Sequence, residues 1–239
     1  MTIRTAAPAH RPGKPLTPQA ERRRDQILEA ALAVMSRKGF DRTSIADIAG
    51  RARVARATVY QHFADKRDVL VALANRVTFR VIEAASAWPP LPDAGAERPA
   101  TREQRRAREV ELRGLIEARL ALVLQTVATN ADAARLLVRL TPGADKLVDD
   151  TLRRMDEFVV GMVTKDIDTA QHYGWARACD SRMVARFILG GIERIVFRAL
   201  DRDQALDIEK LTGELGALVF SSLRNEDYFD PDGGRRDGA

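Results

Sequence analysis

The sequence predicts an all-α fold in two parts, a three-helix N-terminal domain followed by a larger helical C-terminal domain. Leu, Ala, Arg and Glu, which favour helices, are plentiful, whereas the 15 Gly and 10 Pro collect mainly at the two ends and in one central stretch. Apolar side chains recur every three or four residues along most of the chain, the spacing that lines one face of a helix. Apolar residues form 45% of the 239, enough for packed cores.

The N-terminal domain follows a segment without periodicity. Residues 1–17 contain three prolines and are expected to form a disordered arm. A first helix is expected from about Pro18 until Gly39 ends it. Thr43 then has the position of an N-cap, so a short second helix should follow it and end near Gly50.

A third short helix and a long fourth helix come next. Val54, Val59 and Phe63 have the spacing of one buried face in a short helix, and a break follows. Lys66 opens a longer periodic segment that runs to about Ala87. Two short helices in succession within residues 43–63 have the layout of a helix-turn-helix, in which the second helix enters the DNA major groove.

The C-terminal part begins after a proline-rich loop over residues 89–100. Periodicity then predicts helices over 101–129, 131–140, 144–170, 180–200 and 206–225. The last residues, 229–239, are expected to be a disordered tail.

The distribution of charge points to a polyanionic partner. Residues 1–66 hold 13 Lys and Arg against 6 Asp and Glu, a balance of +7, whereas the rest of the chain has a balance of −2. Such a basic segment attracts nucleic-acid phosphates, although a solvated basic arm would have the same composition.

Other classes of protein find little support in the sequence. There is no glycine-rich phosphate loop, no nucleophile elbow and no pair of Cys or His at ligand spacing, so we expect neither an enzyme nor a bound cofactor or metal. The single Cys179 cannot form an intrachain disulfide. No secretion signal or uncharged apolar segment of 18 residues occurs, so we expect neither a secreted nor a membrane-spanning protein, and no membrane partner.

Three segments carry a resemblance to a known family. TSIADIA from Thr43, VARATVYQHF from Val54 and DKRDVL from Asp65 resemble the DNA-binding domain of the TetR/AcrR family of bacterial transcriptional regulators. The resemblance covers about residues 21–70. It implies a DNA-binding domain over 18–66, an effector-binding and dimerisation domain over 67–228, and a homodimeric repressor that leaves a palindromic operator when a small molecule binds. Together with the Arg- and Ala-rich composition, it also implies a cytoplasmic protein associated with the nucleoid.

Three positions depart from the family pattern. Arg53 stands where the family often has a turn glycine, and a left-handed backbone there would cost about 1 kcal/mol. Ala55 replaces the usual serine and gives up an N-cap, again about 1 kcal/mol. Ala57 replaces a common glycine.

The chemistry of the N-terminal side chains suggests how they meet DNA. Hydroxyls and the Lys66 ammonium suit phosphate oxygens, whereas Arg56 and Gln61 have forked donors that suit either base edges or phosphates. His62 either touches DNA or packs beside Phe63, and Asp47 is expected to pair with an arginine of the first or third helix. The predicted DNA-binding residues are Thr43, Ser44, Arg56, Thr58, Tyr60, Gln61, His62 and Lys66.

The last two long helices are the predicted dimer interface, because the family pairs them in a four-helix bundle. An intrachain core is the alternative for the same apolar stripes. The predicted interface residues are Val184, Ile188, Gly191, Ile195, Leu211, Leu215 and Leu218.

A small apolar effector of unknown identity is the expected ligand of the C-terminal domain. The same apolar residues could instead be ordinary core, and the protein could act through protein partners or as an architectural protein without any ligand. The predicted pocket residues are Leu122, Met155, Phe158, Met162 and Phe187.

Overall fold

The computed structural model describes residues 17–92, 101–139, 146–202 and 204–231. Most of these residues are helical, and the β-structure among them is an isolated bridge between Ala176 and Arg224. The all-α prediction is confirmed. The predicted arm before Thr17, most of the loop 89–100 and the tail beyond Pro231 lie outside the described residues.

The helices agree closely with those predicted, since their described ends fall within two residues of the expected positions. Local signals account for this agreement: Thr17 accepts a hydrogen bond from the Ala20 N–H at the start of α1, and Gly39 ends that helix with φ +79°. The helices are α1 Pro18–Lys38, α2 Ile45–Ala52, α3 Arg56–His62, α4 Lys66–Ser86, α5 Arg102–Thr129, α6 Ala131–Arg139, α7 Lys146–His172, α8 Ser181–Asp201, α9 Ile208–Leu223 and α10 Glu226–Phe229.

The chain divides into two compact units that do not follow the order of the sequence. The first unit holds residues up to Arg80 together with Asn130–Met155. Its core includes Ile48, Val59 and Phe63 from the helix-turn-helix segment and also Leu136 and Val148 from α6 and α7. In this unit α6 packs against α1.

The second unit holds Val81–Thr129 and the residues from Asp156 onward. Here α5 packs along α9, and the short helix α10 packs on α5. Helix α10 was not predicted, and Phe229 was expected in the tail, whereas Tyr228 and Phe229 are buried beside Trp175. The Trp175 indole N–H donates to the Tyr228 hydroxyl over 3.1 Å.

Membrane-spanning helices and metal-binding clusters do not occur among the described residues. No described helix contains an apolar stretch of membrane-spanning length. In the same residues, His, Cys, Asp and Glu side chains form no group that could hold a metal ion.

Candidate nucleic-acid interface

A helix-turn-helix is formed by α2, a three-residue turn and α3. Ile48, Ala49 and Ala52 of α2 are buried, as are Val59 of α3 and Phe63 just after it. These five side chains fix the two short helices on the core of the first unit. The opposite side of α3 is therefore left for solvent or a partner.

Ser44, and not Thr43, is the N-cap of α2. The Ser44 hydroxyl accepts a hydrogen bond from the Asp47 N–H, and the Asp47 carboxylate accepts one from the Ser44 N–H, which is a complete capping box. Ser44 is exposed at the start of the helix, as its predicted role in DNA binding requires.

Thr43 has a different function from the predicted one. Thr43 is only 3% exposed, and its hydroxyl donates to the Gly39 carbonyl oxygen over 2.8 Å. A hydroxyl that is buried and already bonded is not available to a DNA phosphate. The prediction for Thr43 was wrong because the link from α1 to α2 folds back over this side chain.

Asp47 forms an ion pair, with a lysine instead of the expected arginine. Its carboxylate lies 2.6 Å from the Lys38 ammonium of α1. The hydrogen bonds from Lys38 and Ser44 lower the pKa of Asp47 to about 2. The pair joins the end of α1 to the first turn of α2.

The outer face of α3 is polar and open. Arg56, Tyr60 and Gln61 are exposed, Tyr60 by 56%, and none has a hydrogen-bond or ion-pair partner among the described residues. Thr58 and His62 are half-buried, and the His62 ring lies 6.4 Å from that of Phe63. The face thus offers a guanidinium, a phenol and an amide with unused hydrogen-bonding capacity.

The Lys66 side chain forms its contacts within the first unit. Its ammonium donates to the carbonyl oxygens of Phe40, over 3.1 Å, and Asp41, over 2.9 Å, and it lies 4.7 Å from the centre of the Phe40 ring. Two of its three protons therefore have acceptors within the protein. Lys66 thus holds α4 against the link between α1 and α2, and the predicted phosphate contact would have to use its third proton.

Two departures from the family pattern have the predicted structural effect. Arg53 ends α2 in the left-handed conformation, with φ 55° and ψ 45°, the only non-glycine residue with positive φ in the described ranges. Ala55 is the N-cap of α3, and no side chain caps that helix.

The predicted pocket residues lie at different depths. Leu122, Met155, Phe158 and Met162 are half-buried, whereas Phe187 is 81% exposed on α8. Such exposure contradicts a place in a closed pocket. None of the five lines the groove of about 400 Å³ between α5 and α9, whose walls include Arg106, Glu109, Arg113 and Arg224.

The predicted interface residues likewise differ in exposure. Gly191, Ile195 and Leu218 are exposed; Val184, Ile188 and Leu211 are half-buried; Leu215 is buried within the chain. The most exposed apolar side chains of α8 are Met183, at 63%, and Phe187. Met183 and Phe187 thus lie outside the predicted stripe, whereas Gly191 and Ile195, which belong to it, are exposed as well.

Comparison with known proteins agrees with this geometry. Residues 27–73 match the family model of bacterial regulatory proteins, tetR family. The fatty acid metabolism regulator protein of Bacillus subtilis (strain 168) is 23% identical over 213 residues, which cover 84% of this chain and 95% of the relative. The predicted resemblance to the TetR/AcrR family is confirmed.

Two solved structures show the same fold. The fatty acid degradation regulator FadR from Bacillus halodurans superposes with a TM-score of 0.66 and 18% identity, covering 89% of this chain and all of the other. A complex of SmeT with triclosan gives a TM-score of 0.63 and 17% identity, covering 87% of this chain and 94% of the other.

Proposed function

Since the chain carries the DNA-binding domain of the TetR family of transcriptional regulators, we propose that it is a repressor. In this proposal the protein binds a palindromic operator as a homodimer and leaves the operator when a small apolar effector binds. The observation that carries the proposal is the open polar face of α3, with Arg56, Tyr60 and Gln61 unpartnered. In a dimer, two such helices would enter successive major grooves about 34–36 Å apart.

DNA binding is tested with the DNA that flanks the protein's own gene. We expect tight, palindrome-specific binding that Tyr60→Ala weakens about tenfold or more, because an exposed side chain of the recognition helix is lost. Tyr173→Ala is the matched control, since Tyr173 is also exposed but belongs to the second unit. Wild-type binding no tighter than to random DNA would contradict an operator at this position.

Repression is tested in cells by joining the bound promoter to a reporter gene. Deleting the regulator should raise transcription from this promoter if it is a repressor. A fall in transcription would instead identify an activator.

Homodimerisation is supported by an apolar surface on α8 and α9. Met183, Phe187 and Leu218 are more than half exposed in the single chain.

Gly190 and Gly191 lie on the same helix as Phe187, and a Cβ atom at either would meet nothing within 4 Å. Glycine inside a helix costs about 1 kcal/mol relative to alanine, and none of the residues that the structure describes comes close enough to require glycine at these positions. Close approach of the same helix from a second copy would account for both features.

The dimer is tested by the mass of the protein in solution. Phe187→Glu would place a charge in the proposed interface, so we expect the mass from light scattering to fall from that of a dimer to that of a monomer. Phe79→Glu is the control, because Phe79 is 53% exposed on α4 and should leave the dimer intact. Dimers of unchanged stability in Phe187→Glu would exclude this face.

An acyl compound is the effector class that the comparisons favour. The relatives named above include regulators of fatty acid metabolism and degradation. In the second unit, Leu122, Phe158 and Met162 are half-buried apolar side chains of α5 and α7, which suit a flexible hydrocarbon chain.

The effector is tested by titrating the protein–operator complex with palmitoyl-CoA, palmitic acid and triclosan. Coenzyme A alone is the control that separates the head group from the acyl chain. We expect at least one acyl compound to release the DNA, because it must bind the released conformation more tightly. If none of the probes changes DNA affinity, the acyl proposal fails and a regulator that acts through protein partners is favoured.

A further inference from the structure

Arg53 occupies a backbone position that suits glycine better. Its φ of 55° and ψ of 45° lie in the left-handed region, where the Cβ atom of an L-residue crowds the backbone. The turn itself needs this conformation, because the Arg53 N–H donates to the Gly50 carbonyl oxygen and the Val54 N–H to that of Ala49. A glycine would form the same turn without the strain.

No contact of the Arg53 side chain with the described residues offsets this strain. It is exposed and forms no hydrogen bond or ion pair with any other described residue. Two other basic side chains of the unit do have partners: Lys38 forms an ion pair with Asp47, and Arg24 makes a cation–π contact with the Phe63 ring. Arg53 therefore presents an unused cation between α2 and α3.

The surroundings of Arg53 favour an anionic partner. No Asp or Glu occurs between Asp47 and Asp65, whereas Arg51, Arg53 and Arg56 are exposed along the turn and the start of α3. Strained backbone that persists without a structural benefit is a mark of a functional position. A guanidinium with all its donors free can bind a phosphate with two parallel hydrogen bonds.

We infer that Arg53 contacts a DNA phosphate and positions the helix-turn-helix on the duplex, at the expense of the stability of the first unit. The inference rests on the DNA binding proposed above. A phosphate contact does not depend on the base sequence, so Arg53 should support binding to any duplex.

The test measures stability and DNA affinity in the same variants. Arg53→Gly and Arg53→Asn both tolerate the left-handed conformation and remove the charge, whereas Arg53→Lys keeps the charge. Binding is measured with a random-sequence duplex between about 50 and 200 mM salt. Arg37→Gln is the control for net charge, because Arg37 is an exposed arginine in a groove between α1 and α6, beside Asp132.

Opposite changes in the two properties are expected. Arg53→Gly should unfold at a higher urea concentration than wild type, yet bind the duplex at least about threefold more weakly, with the slope of log K against log salt reduced by about 0.9 per subunit. Arg53→Asn should show the same loss of slope, whereas Arg53→Lys and Arg37→Gln should keep the wild-type slope.

Two results would overturn the inference. Arg53→Gly with wild-type affinity and slope would show that the guanidinium does not touch DNA, while wild-type binding left the proposed function intact. Absence of any duplex binding by the wild type, even at the lowest salt, would remove the proposed function and this inference together.

Discussion

Gly216 of α9 packs so closely on Glu117 of α5 that a Cβ atom at the glycine would lie 2.6 Å from the Glu117 Cγ. Glu117 is held in place by Arg113, whose Nε lies 2.9 Å from a carboxylate oxygen. Close approach of α5 and α9 in the second unit therefore depends on the missing side chain.

Gly216→Ala should destabilise the second unit by about 1–3 kcal/mol, because the Glu117 side chain must leave its position and its ion pair. Gly213→Ala in the same helix is the control: nothing lies within 4 Å of its Cβ position, so helix propensity alone should stabilise by up to about 1 kcal/mol. Urea unfolding measures both changes. Equal effects of the two substitutions would show that the 2.6 Å approach is relieved at no cost.

Ala55→Ser should stabilise the helix-turn-helix by about 1 kcal/mol, because it supplies the side-chain cap that α3 lacks. Ala57→Ser makes the same chemical change two residues later, at an exposed position inside the helix, and should give no gain. The melting temperatures of the two variants separate the effect of the cap from the effect of replacing an alanine by a serine. A gain of the same size at both positions would rule out capping.

Removal of the Asp47 carboxylate should matter more at neutral pH than in acid. The pKa of Asp47 is lowered to about 2, below the ordinary value of 3.8, so its ionised form stabilises the folded state. This contribution is complete above about pH 4 and is lost as the pH falls towards 2. The difference in melting temperature between wild type and Asp47→Asn should therefore shrink over that range.

Lys38→Gln supplies the control for this pH dependence. It removes the group whose hydrogen bond contributes most to the lowered pKa, while leaving the Ser44 capping box in place. Its melting temperature should approach that of wild type in the same pH range. A wild-type advantage over Asp47→Asn that stays constant down to pH 2 would show that the carboxylate charge is not involved.

Lys66→Met should lower the stability of the first unit by about 1–3 kcal/mol, since it removes two charge-assisted hydrogen bonds and a cation–π contact but keeps the apolar stem over Phe40. Urea unfolding measures the loss, and the salt dependence of DNA binding is measured beside it. If the stability is unchanged and the slope of log K against log salt is reduced, Lys66 contacts a DNA phosphate, as the sequence suggested.

Helix positions were predictable because their signals are local. Gly39 ends α1 through its own backbone freedom, and residues such as Val59 and Phe63 define a buried face by spacing alone. The left-handed backbone of Arg53 was predictable from the family resemblance, because Arg53 stands where that family often has a turn glycine.

Side-chain roles that depend on packing were not predictable in the same way. Thr43 and Lys66 have the chemistry of phosphate ligands, yet both are bonded to backbone carbonyls of the link after α1, which no spacing reveals. Phe187 was assigned to a pocket, although it is exposed, because apolar side chains occur all around α8 and their spacing alone does not select the buried face. The helix α10 has only four residues, too few to show a period.

The burial of α10 sets a practical limit on how the protein can be shortened or fused. Asn225 donates to the Gly174 carbonyl oxygen, and Tyr228 covers Trp175, so this short segment closes one end of the second unit. A version cut before Asn225 would leave Trp175, Leu112 and Phe220 without their cover and would be prone to aggregation. A fluorescent reporter should therefore be attached after Pro231.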